Sequence, residues 1–297
     1  MKRAWILAFA LACLPASAQL GNLLRNFDAG KILDTGKKLT EANKDFTQDE
    51  EVQLGAGITA GVLGGAPPLR DANVQRYVNR VGKWVALHSE RPDLPWTFAV
   101  IEGETVNAFA MPGGYVVISA GLLARLHSEA ELAGALAHEI AHVVRKHQLA
   151  AIQSSLTSGA LADVGKDLAS SEIARRGGGG VGGAVVTELK SRAAGIGIEA
   201  LKNGVFLRPL DRGMEYEADG MAVVLAARAG YDPYGLVGVL QMLEGLRSDG
   251  SGIDIMSTHP APTDRIAELE RAMPRLDRYA SQPQLEARFR QVIAPAR

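Results

Sequence analysis

The 297-residue sequence predicts a mainly α chain with a small antiparallel β-sheet, an α+β arrangement. Three observations point there. Several segments repeat apolar residues at helical spacing, as in Val74, Tyr77, Val78, Val81 and Trp84. Between residues 96 and 119, short runs rich in Val, Ile, Thr and aromatic residues are divided by Pro112, Gly113 and Gly114. From Ser128 onward, helix starts and stops return in register with apolar periodicity.

At the N-terminus, Lys2 and Arg3 precede an apolar run from Ala4 to Leu14 that is too short to span a bilayer. Ala16, Ser17 and Ala18 then supply a small-x-small pattern, so residues 1–18 read as a signal peptide cleaved before Gln19. The single cysteine, Cys13, lies inside that segment. Two readings compete for it. Conventional cleavage removes it, whereas the loose lipoprotein box from Ala10 to Cys13 makes it the first residue of a lipid-anchored form. Both export the protein, and a mature chain without cysteine suits an oxidising periplasm.

Residues 19–50 form a polar arm, and 51–297 read as a single domain. Gly55, Gly57, Gly61, Gly64 and Gly65 punctuate the stretch before Pro67 and Pro68. Asp71 to Leu87 is helical by periodicity. Strands are expected from Trp96 to Ile101, Asn107 to Ala110 and Tyr115 to Ser119, with a short helix starting at Gly121. Ser128 and Glu131 then form a capping box. Residues 130–151 contain no Pro and only Gly134, with Arg145, Lys146 and Gln148 on the solvent face. Gly177 to Gly183 resist fixed structure and predict a flexible loop near 175–185, either a gate over a cleft or a plain solvent loop. Asp211 caps a helix that runs to Arg228 and stops at Gly230. Three more helices follow, from about 234 to 246, 262 to 273 and 284 to 293.

His138, Glu139 and His142 spell H-E-x-x-H inside the capped helix. Two His at i and i+4 share one helix face, so both imidazoles reach one metal ion. Glu139 projects near the open side of that ion and is the candidate general base. A catalytic zinc needs a third protein ligand. Arg145 and Gln148 stand where a Gly and a third His would be needed for a ligand from the same helix. His147 is off register and reads as a surface or packing residue. Glu215 and Asp219, one turn apart on the later helix, offer a ligand and a hydrogen-bond acceptor for the far nitrogen of a ligating His. Glu217 is the runner-up ligand.

The segments H-E-I-A-H at 138–142, E-Y-E-A-D at 215–219 and N-A-F-A-M-P-G-G-Y at 107–115 together resemble the Ste24-type zinc endopeptidases of the gluzincin group, most nearly its small exported bacterial members. The resemblance covers residues 52–273. It implies a mainly helical gluzincin-type metallopeptidase core with a short sheet against the active-site helix. It assigns one Zn2+ per chain to His138, His142 and Glu215, and catalysis to Glu139. A fourth segment around His259, Pro260 and Arg265 resembles the family's H-P-x-x-x-R stretch. It implies that His259 and Arg265 face the cleft and either stabilise the oxyanion or block the metal at rest. The other reading of this segment is a helix start with a structural ion pair.

A net charge of −1 leaves no electrostatic footprint for nucleic acid. No run after the signal segment is long and apolar enough to span a membrane, although peripheral membrane association stays open. An edge strand at Asn107, Ala108, Phe109 and Ala110 can pair with an extended polypeptide substrate, or it is a structural hairpin. The expected function is a periplasmic zinc endopeptidase acting on misfolded or unassembled envelope proteins. The alternatives are a chaperone-like binder with a self-inhibited or structural zinc site, and a hydrolase of a non-peptide envelope substrate.

Overall fold

The computed structural model describes residues 46–157, 210–248 and 259–293. The signal segment, most of the arm and the Gly-rich loop near 175–185 lie outside these residues. Helix α1 (Gln48–Gly65) starts at Thr47, whose side chain accepts from the Glu50 amide while Glu50 returns a bond to the Thr47 backbone. The glycines expected to punctuate this stretch are instead built into the helix. They are poor helix formers, but Gly55 is where α1 presses on the sheet. A Cβ there would lie 1.8 Å from the Pro112 carbonyl oxygen.

Helix α2 (Ala72–Ala86) is capped by Asp71 and precedes strands β1 (Thr97–Ile101), β2 (Ala108–Met111) and β3 (Tyr115–Ser119). The sheet order is β1-β3-β2, with β1 and β3 parallel and β2 and β3 antiparallel. The sheet is therefore mixed, which corrects the antiparallel expectation. Pro112, Gly113 and Gly114 close the β2–β3 hairpin, and both glycines have positive φ. That hairpin docks with β3 inward, so consecutive strands β1 and β2 are not neighbours.

The sheet is covered on both faces. Phe98, Val100, Ala108, Ala110, Val116 and Ile118 join the main core with the helices. Ala99, Ile101, Met111, Tyr115 and Val117 pack with Ile58 and Val62 of α1. The alternation follows from the two-residue period of a strand. The outer edge of β1 is closed by side chains of α2. Gln75 donates to the Val100 carbonyl at 2.7 Å and accepts from its amide at 2.9 Å, and Asn79 accepts from the Phe98 amide. Among the described residues, no strand pairs with the outer edge of β2.

After the short α3 (Ala120–Leu123), helix α4 (Glu129–Val144) runs through the core. Ser128 caps it, but Glu131 returns to the His127 amide, one residue before the expected partner. Glu129 anchors its N-terminal end, accepting from Tyr77 at 2.6 Å, from Tyr231 at 2.7 Å and from Arg288. Helix α5 (His147–Thr157) follows after a break at Lys146, whose φ is 58°. Helices α6 (Arg212–Arg228), α7 (Gly235–Ser248), α8 (Pro262–Ala272) and α9 (Glu286–Ile293) complete the domain. Gly134 lets α4 and α7 touch backbone to backbone, since a Cβ there would lie 2.7 Å from the Leu236 nitrogen. No helix of the described residues is long and apolar enough to cross a membrane.

Candidate metal centre

His138, Glu139 and His142 are buried in the C-terminal half of α4, which packs against α6. Asp211 starts α6 by accepting from the Gly213 amide, which sets Glu215 in the first turn and Asp219 one turn later. Both carboxylates face α4. The two ligand candidates on α4 aim their Nε2 atoms at one point and lie 3.0 Å apart. Glu215 completes a triangle, with Oε1 at 3.5 Å from His142 Nε2 and Oε2 at 3.6 Å from His138 Nε2.

These separations are of the order expected for donors each about 2 Å from a common ion. A second observation supports the fit. Glu215 is fully buried, and its Oε1 has no hydrogen-bond partner among the described residues. Such an orphaned carboxylate oxygen is costly unless a cation meets it. Two imidazoles and one carboxylate are the donor set of a catalytic zinc with an open position. The cofactor this group fits is therefore Zn2+. His259 joins the group, with its Nδ1 at 2.7 Å from Glu215 Oε2.

The outer nitrogens are held differently. His138 Nδ1 lies 2.9 Å from Asp219 Oδ1. Arg265 grips the same carboxylate with two bonds, Nε to Oδ2 at 2.8 Å and Nη2 to Oδ1 at 2.6 Å. Arg265 Nη2 also lies 3.2 Å from His138 Nδ1. If Nδ1 carries the proton for Asp219, that short approach is not a hydrogen bond, because two donors would face each other. His142 Nδ1 meets His147 Nδ1 at 3.0 Å, and His147 Nε2 lies 3.4 Å from Glu217 Oε2.

His147 is thus buried and packs against a ligand candidate, on a face that an unbroken helix would not have given it. The left-handed turn at Lys146 breaks the register and swings the ring inward. Arg91 at 2.9 Å and Lys146 both pair with the buried carboxylate of Glu51, which ties α1 to this turn. Lys146, four residues after the motif's last His, is a residue type that does not announce a positive φ. Glu217 is half exposed, pairs with Arg145 at 2.9 Å and lies away from the Glu215 triangle.

The electrostatics differ between the two ligand candidates. Burial pushes the His142 pKa well down, helped by His138, so the ring stays neutral and able to ligate. Burial also lowers the His147 pKa against the opposing pull of Glu217. For His138, burial and Arg265 work downward, but Asp219 and Glu215 outweigh them and hold it up at about 9. Burial opposes ionisation of Glu215 and Asp219, yet the His charges around Glu215 and the Arg265 guanidinium beside Asp219 hold both carboxyls well below their ordinary range. Glu139 moves the other way. Its burial raises its pKa, with His138 and His259 opposing, as suits a group that exchanges a proton.

The strand expected at Asn107 to Ala110 falls one residue later, at Ala108–Met111. Asn107 turns the chain into it: its Oδ1 accepts from the Ala108 N–H, and its backbone N–H donates to Ser119 Oγ. Ala108 and Ala110 point into the core, and Phe109 is half-buried on the α1 face. Ser257 and Thr258, which precede His259, lie outside the described residues.

The family model for peptidase family M48 matches residues 68–273. The β-barrel assembly-enhancing protease of Escherichia coli K12 is 28% identical over 266 residues, covering 87% of this chain and 50% of the relative. The mitochondrial metalloendopeptidase OMA1 of Schizosaccharomyces pombe is 31% identical over 199 residues, covering 67% of this chain and 52% of the relative. The OMA1 of Arabidopsis thaliana is 30% identical over 205 residues, with 69% and 37% covered. The chain spans about half the length of the bacterial relatives it matches. With the family model covering most of the domain, including both helices of the zinc group, the chain belongs to peptidase family M48.

Proposed function

We propose that this protein is an exported zinc-dependent endopeptidase that cleaves misfolded or unassembled envelope proteins. The observation that carries the reaction is the convergence of His138, His142 and the orphaned Glu215 Oε1, with the buried Glu139 beside them. Zinc held there supplies Lewis acidity, polarising a carbonyl and making water acidic near neutral pH. Glu139 takes the proton of the attacking water as its oxygen bonds the carbonyl carbon. It then delivers that proton to the departing amine as the C–N bond breaks.

His259, beside Glu215, is the donor assigned to a developing oxyanion, by analogy with the related segment of the family. Arg265 is better read as a positioning residue. Its fork is engaged by Asp219, so it acts through Asp219 on His138. The substrate edge is β2. The opposite edge, β1, is closed by Gln75 and Asn79, whereas β2 runs beside α4 with no strand outside it among the described residues. An extended chain added there is held by its backbone, which tolerates many sequences. That suits unfolded substrates, as does the relative named for β-barrel assembly. Residues 1–18 deliver the chain to the periplasm, with lipidation at Cys13 the competing route.

A second reading, a self-inhibited site, is favoured by the 2.7 Å contact of His259 with Glu215. Casein cleavage by the purified mature protein tests both. Glu139→Gln is expected to keep zinc and lose about 10²–10⁴-fold in rate, and normal turnover by that variant overturns the mechanism. His259→Ala lowers the rate if His259 assists the reaction and raises it if His259 holds the site at rest.

A further inference from the structure

We infer that His147, backed by Glu217, is a positioning residue for zinc, holding His142 through a histidine–histidine hydrogen bond. The inference rests on the reading of His142 Nε2 as a zinc ligand. If Nε2 faces the ion, Nδ1 carries the ring proton and donates it. The acceptor within reach is His147 Nδ1, at 3.0 Å. His147 then carries its own proton on Nε2, which faces Glu217 Oε2 at 3.4 Å. Each ring then has one donor and one acceptor, with the two rings meeting at 3.0 Å and the His147 donor facing Glu217.

The surroundings hold the two rings in this contact. Both rings are buried, His142 completely. Their planes meet at 71°, with centroids 5.1 Å apart, so they touch at their edges without stacking. The turn that presents His147 is itself anchored. Lys146 takes the left-handed conformation, and its ammonium pairs with the buried Glu51 of α1, as does Arg91. An unbroken helix would carry position 147 around to another face. A bond to the far nitrogen of a ligating His fixes ring orientation and tautomer and makes the ligand more basic. Asp219 occupies that place for His138, and His147 occupies it for His142.

The test compares two replacements of similar size. His147→Asn keeps an acceptor one bond from Cγ, where Nδ1 stands, whereas His147→Leu fills the space without one. Zinc affinity is measured by competition with a chelator, alongside melting of the metal-free proteins. The expected result is a loss of about 10- to 100-fold for His147→Leu, with His147→Asn within a few-fold of the parent and the metal-free melting temperatures unchanged. Equal losses in the two variants, or wild-type affinity in both, overturn the inference. A parent protein that binds no zinc overturns the metal reading as well, which separates the two failures. The zinc-loaded parent, labelled with nitrogen-15, supplies a check that does not depend on either variant folding. A scalar coupling across the N–H···N bond between His142 Nδ1 and His147 Nδ1 is expected, and its absence in an otherwise resolved spectrum of both rings overturns the inference.

Discussion

His138 and His142 lie one turn apart on the same helix, yet their outer nitrogens are held by different chemistry. Behind His138 stands a buried carboxylate, Asp219, itself clasped by the buried Arg265. Behind His142 stands a neutral ring, His147, and beyond it the half-exposed Glu217. The first support is a charged network brought in by two distant helices. The second comes from the next turn of chain and ends at solvent. The difference teaches that the two ligands need not contribute equally to holding the metal. The His138 side joins α4 to α6 and α8, so damage there reaches the fold. The His142 side is local, so damage there reaches the metal first.

The largest effect is expected from Arg265→Ala. It leaves Asp219 buried beside His138 without its guanidinium, and breaking a buried pair in this way costs about 3–5 kcal/mol. Chemical denaturation of the metal-free protein reads this directly. Arg265→Lys is expected to recover only part of the loss, because a lysine has no planar fork. A loss below about 1 kcal/mol for Arg265→Ala would mean that the network is not a fold element, and the contrast between the two sides would fail.

Zinc itself gives the next effect. Binding to the folded state alone stabilises by about 2.7 kcal/mol at a free concentration one hundred times the dissociation constant. Chelation is expected to lower the melting temperature accordingly, and an unchanged melting curve would show that the donor triangle binds no ion. Asp219→Asn comes third. It retains an oxygen that can accept from His138 Nδ1 but loses the charge, so zinc affinity is expected to fall about 10- to 100-fold. Unlike His147→Leu, it is also expected to destabilise the metal-free protein, because Arg265 keeps its charge without its carboxylate. Equal metal-free stability in the two variants would erase the comparison.

The His138 side was legible in the sequence and the His142 side was not. Glu215 and Asp219 share a helix face by i, i+4 spacing, and that spacing survives because α6 is an uninterrupted helix behind its Asp211 cap. His147 falls outside such counting because the chain leaves helical geometry at Lys146, a residue whose type gives no warning of a positive φ. The same limit applies to the scaffold. Helix boundaries near Asp71, Asp211 and Pro262 follow from their caps and from proline. Helix α1 was obscured by its glycines, one of which, Gly55, contacts the β2–β3 turn, a tertiary fact. The parallel pairing of β1 with β3 likewise depends on which hairpin strand docks inward, and strand composition does not encode that choice.

The smallest effect sharpens the comparison most, because it repeats one chemical change on the other side. Glu217→Gln, like Asp219→Asn, replaces a carboxylate by its amide at the far end of a ligand's support. Here the carboxylate is half exposed, pairs with the exposed Arg145 and reaches His147 only at 3.4 Å. Solvent and mobile ions screen such a group, and exposed pairs contribute about 0.2–1 kcal/mol. Since about 1.4 kcal/mol is tenfold in a binding constant, zinc affinity is expected to fall by no more than about fivefold. The metal-free melting temperature should barely move, and the His142–His147 coupling should persist. A loss as large as that of Asp219→Asn would mean that the negative charge of Glu217 reaches the metal through His147. The neutral ring would then transmit charge as well as position, and the two supports would be alike in kind.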